Sequence, residues 1–165
     1  MYTAGPFTIT AYGFDSSGNP TDLYGKNLGG DENGLGLNND PSGQHEICCG
    51  NYIQLDLTSL LNNPGLAITM SSVQAGENFD IWGSDTKGTL GSLLFMGNSS
   101  DDMVPISLTG SLGGFDFYSV TAPTGNVLIE NVAATTSAVP EPGSLVMFGS
   151  GIVLLAGVLR RKLRR

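Results

Sequence analysis

The stretch from Gly143 to Leu159 carries no charge across seventeen residues, and Arg160-Arg161-Lys162-Leu163-Arg164-Arg165 follows it at once. Nothing else in the chain restricts its folding as much. As a helix rising about 1.5 Å per residue, this run would be about 25 Å long, just short of a bilayer core of about 30 Å. Long basic side chains at its end then reach the headgroups. Pro140 and Pro142 stand before it. Proline in a helix interior removes a hydrogen bond and clashes with the preceding turn, so Val139–Pro142 is expected to form an extended neck. Two other readings exist, a core helix and a simple membrane anchor. A core helix does not normally end in five basic residues, which disfavours the first.

Basic residues flanking a span stay cytoplasmic, which predicts residues 1–138 on the far side of the membrane. The order of neck, apolar run and basic end resembles the PEP-CTERM sorting signal of Gram-negative bacteria. Pro140-Glu141-Pro142 matches the tripeptide of that signal, Gly143–Leu159 its helix and Arg160–Arg165 its basic end. The resemblance implies that Val139, Pro140, Glu141 and Pro142 form the sorting and processing motif. It also implies an exosortase, a membrane transpeptidase-like protease, as partner. The tail would lie transiently in inner-membrane lipid, and the ectodomain would reach the cell surface or the exopolysaccharide matrix. Arg160, Arg161, Lys162, Arg164 and Arg165 would fix the topology from inside.

Charge is segregated along the chain. Five of the seven Lys and Arg lie in the tail, so residues 1–159 set Lys26 and Lys87 against fifteen acidic residues, a net charge of −13. Such a surface repels phosphates, which argues against nucleic acid as a partner. It suits a solvated exported domain, or one meeting divalent cations. The 24 glycines favour strands joined by tight turns over helices. About 130 residues precede the neck, enough for one domain with its own core. The expected division is an ectodomain at 1–132, a small polar linker at 133–138 and the sorting signal at 139–165. Met1–Pro6 lacks the basic and apolar regions of a secretory signal. An exported domain needs one, so the true start is expected upstream; a tail-anchored protein with a cytosolic domain would place the basic cluster on the wrong side.

Short β-type runs recur: Phe7–Phe14, Asn51–Leu57, Leu66–Val73, Asn78–Trp82, Leu93–Met96, Val104–Leu108, Phe115–Val120 and Val127–Val132. Within Asn51–Leu57, Ile53, Leu55 and Leu57 face one side, with Gln54 and Asp56 on the other. Turn clusters separate the runs, among them Asn63-Pro64-Gly65 and Pro123-Thr124-Gly125. About eight short strands without an amphipathic helix predict an all-β fold, a single jelly-roll-like β-sandwich followed by the C-terminal transmembrane helix. Gly25–Gly50 is rich in Gly and Asn and is expected to be one long loop. The body is also similar to a recurrent ectodomain type found with this tail, over roughly residues 8–132. The residues that carry the likeness include Asp31–Leu37, Ile53–Leu57, Ser72–Glu77 and Gly83-Ser84-Asp85. That likeness brings no activity, catalytic residue or ligand with it, and Cys48-Cys49 departs from it.

Several constellations carry side chains suited to chemistry. Cys48 and Cys49 are adjacent, and a bridge between neighbours must span Cα atoms about 3.8 Å apart, below the usual disulfide range. Vicinal and intermolecular pairing both stay open, and the pair is read as structurally incidental. His45, Glu46, Cys48 and Cys49 suggest a metal cluster, but zinc sites draw on two separated ligand pairs, so no metal is expected there. Asp31, Glu32, Asn33, Asn38, Asn39 and Asp40 carry oxygens suited to a structural calcium ion. No calcium-loop spacing accompanies them, and turn chemistry is the preferred account, leaving no cofactor. Glu77 with Asp80, or Glu46 with Asp56, offers a glycosidase-type carboxylate pair. A Ser–His–Asp set has only His45 to draw on, without a nucleophile elbow. Gly34-Leu35-Gly36 lacks the third glycine of a phosphate-cradling loop. The expectation is therefore a non-enzymatic exported protein, with extracellular polysaccharide as a further partner. Trp82, Tyr52 and Tyr118 are the candidate sugar-stacking residues, although aromatic residues in sandwich strands more often fill the core.

Overall fold

A computed structural model describes residues 2–4, 7–61 and 63–135. The neck, the apolar run and the basic cluster, residues 139–165, lie outside the described residues. Among the described residues no helix is long and apolar enough to cross a membrane.

Twelve strands build two facing antiparallel sheets: β1 Tyr2–Ala4, β2 Phe7–Phe14, β3 Pro20–Thr21, β4 Leu23–Asn27, β5 Asn33–Leu37, β6 Tyr52–Asp56, β7 Ala67–Ser71, β8 Asn78–Ser84, β9 Ser92–Asn98, β10 Ile106–Ser107, β11 Phe117–Thr124 and β12 Leu128–Ala133. One sheet runs β1-β2-β6-β11-β8-β9, with β3 also paired to β2; the other runs β10-β7-β12-β5-β4. From β5 onward the chain alternates between sheets, except that β8 and β9 form a hairpin within the first. The expected sandwich is present.

Alternation explains why these segments pair as they do. Ile53 and Leu55 of β6, Phe79 and Ile81 of β8, and Tyr118 and Val120 of β11 point inward from the first sheet. Ile68 and Met70 of β7, Leu37 of β5 and Ile129 of β12 meet them from the second. Each large side chain fully buried this way contributes about 1.5–3 kcal/mol. Gly97 of β9 leaves room for the Phe79 ring, which would strike a Cβ placed there.

The expectation of one loop over Gly25–Gly50 fails. A hairpin of β4 and β5 occupies its first half, in register from Leu23↔Leu37 to Asn27↔Asn33. Gly29 and Gly30 form its turn, whereas Gly25, Gly34 and Gly36 are strand residues. At Gly34 a Cβ would meet Leu128 and the Ile129 carbonyl of β12, and at Gly36 it would meet the His45 carbonyl. Close backbone approach is the recognised reason for glycine inside a strand. Pro123 and Thr124, expected in a turn, belong to β11.

Candidate functional site

Three arrangements of polar or reactive side chains stand out in the described residues. The first gathers Lys26 of β4, Glu32 of the β4–β5 turn, Glu46 of the β5–β6 loop and Ser72 after β7. The Lys26 ammonium pairs with both carboxylates. Lys26 and Glu46 are buried. The Ser72 hydroxyl donates to Glu32 at 3.0 Å, and lies 3.4 Å from each Glu46 oxygen. Ser72 adopts a φ of 60°, a left-handed conformation that a non-glycine residue holds only where its surroundings fix it. Burial pushes the Glu46 carboxyl up, and Lys26 only partly offsets this. Its bond to Lys26 holds Glu32 below the usual range. Burial opposes the Lys26 charge, yet hydrogen bonds to Glu32 and Glu46 raise its pKa overall. No sequence periodicity links these residues, so Glu32 and Glu46 stand out in the sequence only as metal or carboxylate-pair candidates and not as partners of Lys26 and Ser72.

The second arrangement is a loop organised around Asp40. Its carboxylate accepts from the Ser42 N–H at 2.7 Å, the Ser42 hydroxyl at 2.7 Å and the Gln44 N–H at 2.9 Å, and more weakly from the Glu46 N–H at 3.3 Å. Burial works against this carboxylate, but those donors outweigh it and hold the group below the usual aspartate range. Such a group stabilises the fold above its unfolded pKa, and that contribution is lost as pH falls through the lowered folded value. Asp40→Ala is expected to cost about 2 kcal/mol in urea unfolding at pH 7, with a smaller deficit at pH 3. An equal deficit at both pH values would refute this account.

Cys48 and Cys49 are joined to each other as a vicinal disulfide. Cys48 Sγ also lies 2.7 Å from Asp40 Oδ1. Asp40, Cys48 and Cys49 are the described group whose ligand atoms fall within 4.8 Å of one another, but the ring uses both sulfurs. His45, Glu46, Cys48 and Cys49 do not converge as one ligand set. His45 stacks on Tyr24 with centroids 4.2 Å apart, and Glu46 turns to Lys26. The six calcium candidates are likewise divided: Glu32 serves Lys26, Asn33 caps its own turn, and Asp40 serves its loop.

Neither carboxylate pair is free for acid–base work. Glu77 accepts from the Gln74 and Asn126 N–H groups, fixing two turns. Asp56 accepts from the N–H and hydroxyl of Thr58, and Glu46 is committed to Lys26. An apolar cleft of about 330 Å³ opens where the sheets diverge, lined by Ile9, Ala11, Leu35, Leu55 and Ile129.

The third arrangement is the outer face of the first sheet. Strand register places Tyr12, Gln54, Ser119, Trp82 and Leu93 in one row, and Phe14, Tyr52, Thr121, Asp80 and Met96 in the next. The 84–91 loop covers the β2–β6 half. Gln54 donates to Thr89 O and Ser119 Oγ and accepts from the Gly88 N–H, while Tyr52 donates to Gly88 O. Lys87 sits 3.5 Å from the Tyr12 ring centroid. Gln54, on the face opposite Ile53 and Leu55, is therefore fully buried. The β8–β9 half is open. There Trp82 is half-buried, its Nε1–H donating to Thr121 Oγ1 at 3.0 Å, and Leu93 and Met96 are 43% and 72% exposed. Of the three candidate stacking residues, Tyr118 is core and Tyr52 stacks on Phe14, leaving Trp82 accessible.

Residues 138–165 match the PEP-CTERM protein-sorting motif. No curated protein and no solved structure matches the chain. The match falls on the segment singled out by its proline neck, apolar run and basic end. The chain carries a C-terminal PEP-CTERM sorting signal and is an exported, non-enzymatic substrate of an exosortase, destined for the cell surface or beyond.

Proposed function

We propose that the chain works as a β-sandwich ectodomain at 1–132 on a transient anchor, joined through a linker at 133–138. Val139, Pro140, Glu141 and Pro142 are the element an exosortase reads. Gly143–Leu159 spans the inner membrane, and Arg160, Arg161, Lys162, Arg164 and Arg165 hold the tail on the cytoplasmic side. The observation that carries this reading is the motif match at 138–165. The physical support is positional. Two prolines keep the neck extended at the membrane face, and an apolar run of about 25 Å is short enough to be displaced from the bilayer. The strand order supports a jelly roll: β5-β12-β7-β10 faces β6-β11-β8-β9, the pattern two Greek keys produce.

In the producing cell the mature form is expected to be lighter by about the mass of the tail. Glu141→Ala or Pro142→Ala should leave full-length protein in the membrane fraction. Full-length protein persisting unchanged in wild-type cells would refute the sorting mechanism.

A second reading, favoured by the half-buried Trp82 on the open half of the first sheet's outer face, is that the released domain binds extracellular polysaccharide. Pull-down with the producer's own exopolysaccharide tests it; no retention would leave a structural role.

A further inference from the structure

We propose that the open half of the outer face, centred on Trp82 and Asp80, binds a neutral polysaccharide chain, a pyranose ring lying on the indole and its hydroxyls donating to the Asp80 carboxylate. This deepens the polysaccharide reading by assigning its site and the charge class of its ligand.

The geometry supplies the parts such a ligand needs. Trp82 projects from a central strand, and its bond to Thr121 across the β8–β11 pair fixes the ring without using its faces. A rigid aromatic plane with its polar edge already satisfied costs little entropy on binding and offers an apolar surface to sugar C–H groups. Leu93 flanks the ring and Met96 flanks Asp80, each directly opposite on β9. Asp80 lies two residues from Trp82 on the same face, about 7 Å along the strand, which is within the span of one sugar unit. Burial alone raises its carboxyl, with no donor among the described residues acting against it. A carboxylate partly out of water and short of donors is stabilised by hydroxyls that bring them.

Charge selects among occupants. Residues 1–159 carry −13, and Lys87, in the covering loop between β8 and β9, is drawn to Tyr12 at the covered end. An anionic glycan or an anionic lipid surface meets repulsion here, whereas a neutral polyhydroxyl chain does not. The flat half-sheet, open along β8 and β9, suits an extended polymer better than the enclosed pocket a free monosaccharide requires.

The test is affinity electrophoresis of the full chain in mild detergent, through gels containing a neutral glucan, a neutral galactomannan or a polyuronate. Trp82 is the only tryptophan of the chain, so its fluorescence reports directly on the site. A neutral polymer is expected to retard the wild type, shift the emission to the blue and shield it from acrylamide. Trp82→Ala should weaken retention by about tenfold or more, and Trp82→Phe should restore part of it. Asp80→Asn, which keeps the shape, should weaken retention about threefold or more. Circular dichroism melts establish that each variant is folded. Retention that survives Trp82→Ala, or that occurs on the polyuronate alone, overturns the site while leaving the polysaccharide reading standing. No retention on any polymer, including the producer's own, overturns both. A dimer in sedimentation that Trp82→Ala dissociates would show that the face holds a second copy instead.

Discussion

Lys26→Ala is expected to destabilise the fold by about 3 kcal/mol at pH 7, measured by urea unfolding. The substitution leaves Glu46 buried without its cation, and an uncompensated buried charge costs more than a surface pair gains. Acidification provides the check. In the wild type, the lowered Glu32 carboxyl stabilises the fold above its unfolded pKa, and that contribution is lost as pH falls. Glu46 has the opposite sign: with a raised folded pKa it favours the fold at low pH, and this is lost as pH rises through that value. Without Lys26, Glu32 loses the bond that lowered it and Glu46 loses its moderating partner. Both carboxyls then shift upward relative to the wild type, so the deficit should narrow below about pH 5. A deficit of the same size at pH 7 and pH 4.5 would show that the loss comes from packing. The double variant Lys26→Met, Glu46→Met should recover most of the stability, because apolar side chains of similar volume replace buried ion pairs at little cost.

Gly36→Val is expected to cost about 3 kcal/mol or more, or to prevent folding altogether. The added Cβ meets the His45 carbonyl, and backbone cannot move aside as a flexible side chain can. Gly25→Val, at the facing edge strand, has nothing within 4 Å of its Cβ. It should change stability by less than about 0.5 kcal/mol, with β-branching favouring the strand. Equal effects at the two sites would mean that close approach is not the reason for glycine at 36.

These two glycines also show what sequence reading captured and what it did not. Strands β2, β6 and β8 were legible because apolar residues alternate within them, as in Phe79 and Ile81 against Asp80. The β4–β5 hairpin was hidden because Gly25, Gly34 and Gly36 give local evidence of a loop, whereas the need for Gly34 arises from Leu128 and Ile129, far along the chain, and that for Gly36 from the His45 carbonyl. The same holds for Lys26 and Glu46, twenty positions apart, and for Gln54, buried by a loop some thirty-five residues downstream. Tyr118 could have been removed from the stacking candidates by parity alone, since it shares a face with Val120. The tail was the most legible part of all, because its chemistry is linear: order and spacing along the chain carry the signal.

Strand β12 sits at the centre of its sheet, between β7 and β5, yet it is the last strand before the linker. Two ladders therefore wait for Leu128–Ala133 to arrive. A partly emerged domain therefore stays open-sided until its last described strand has arrived. Order of emergence, not local strand propensity, sets when this sandwich can close.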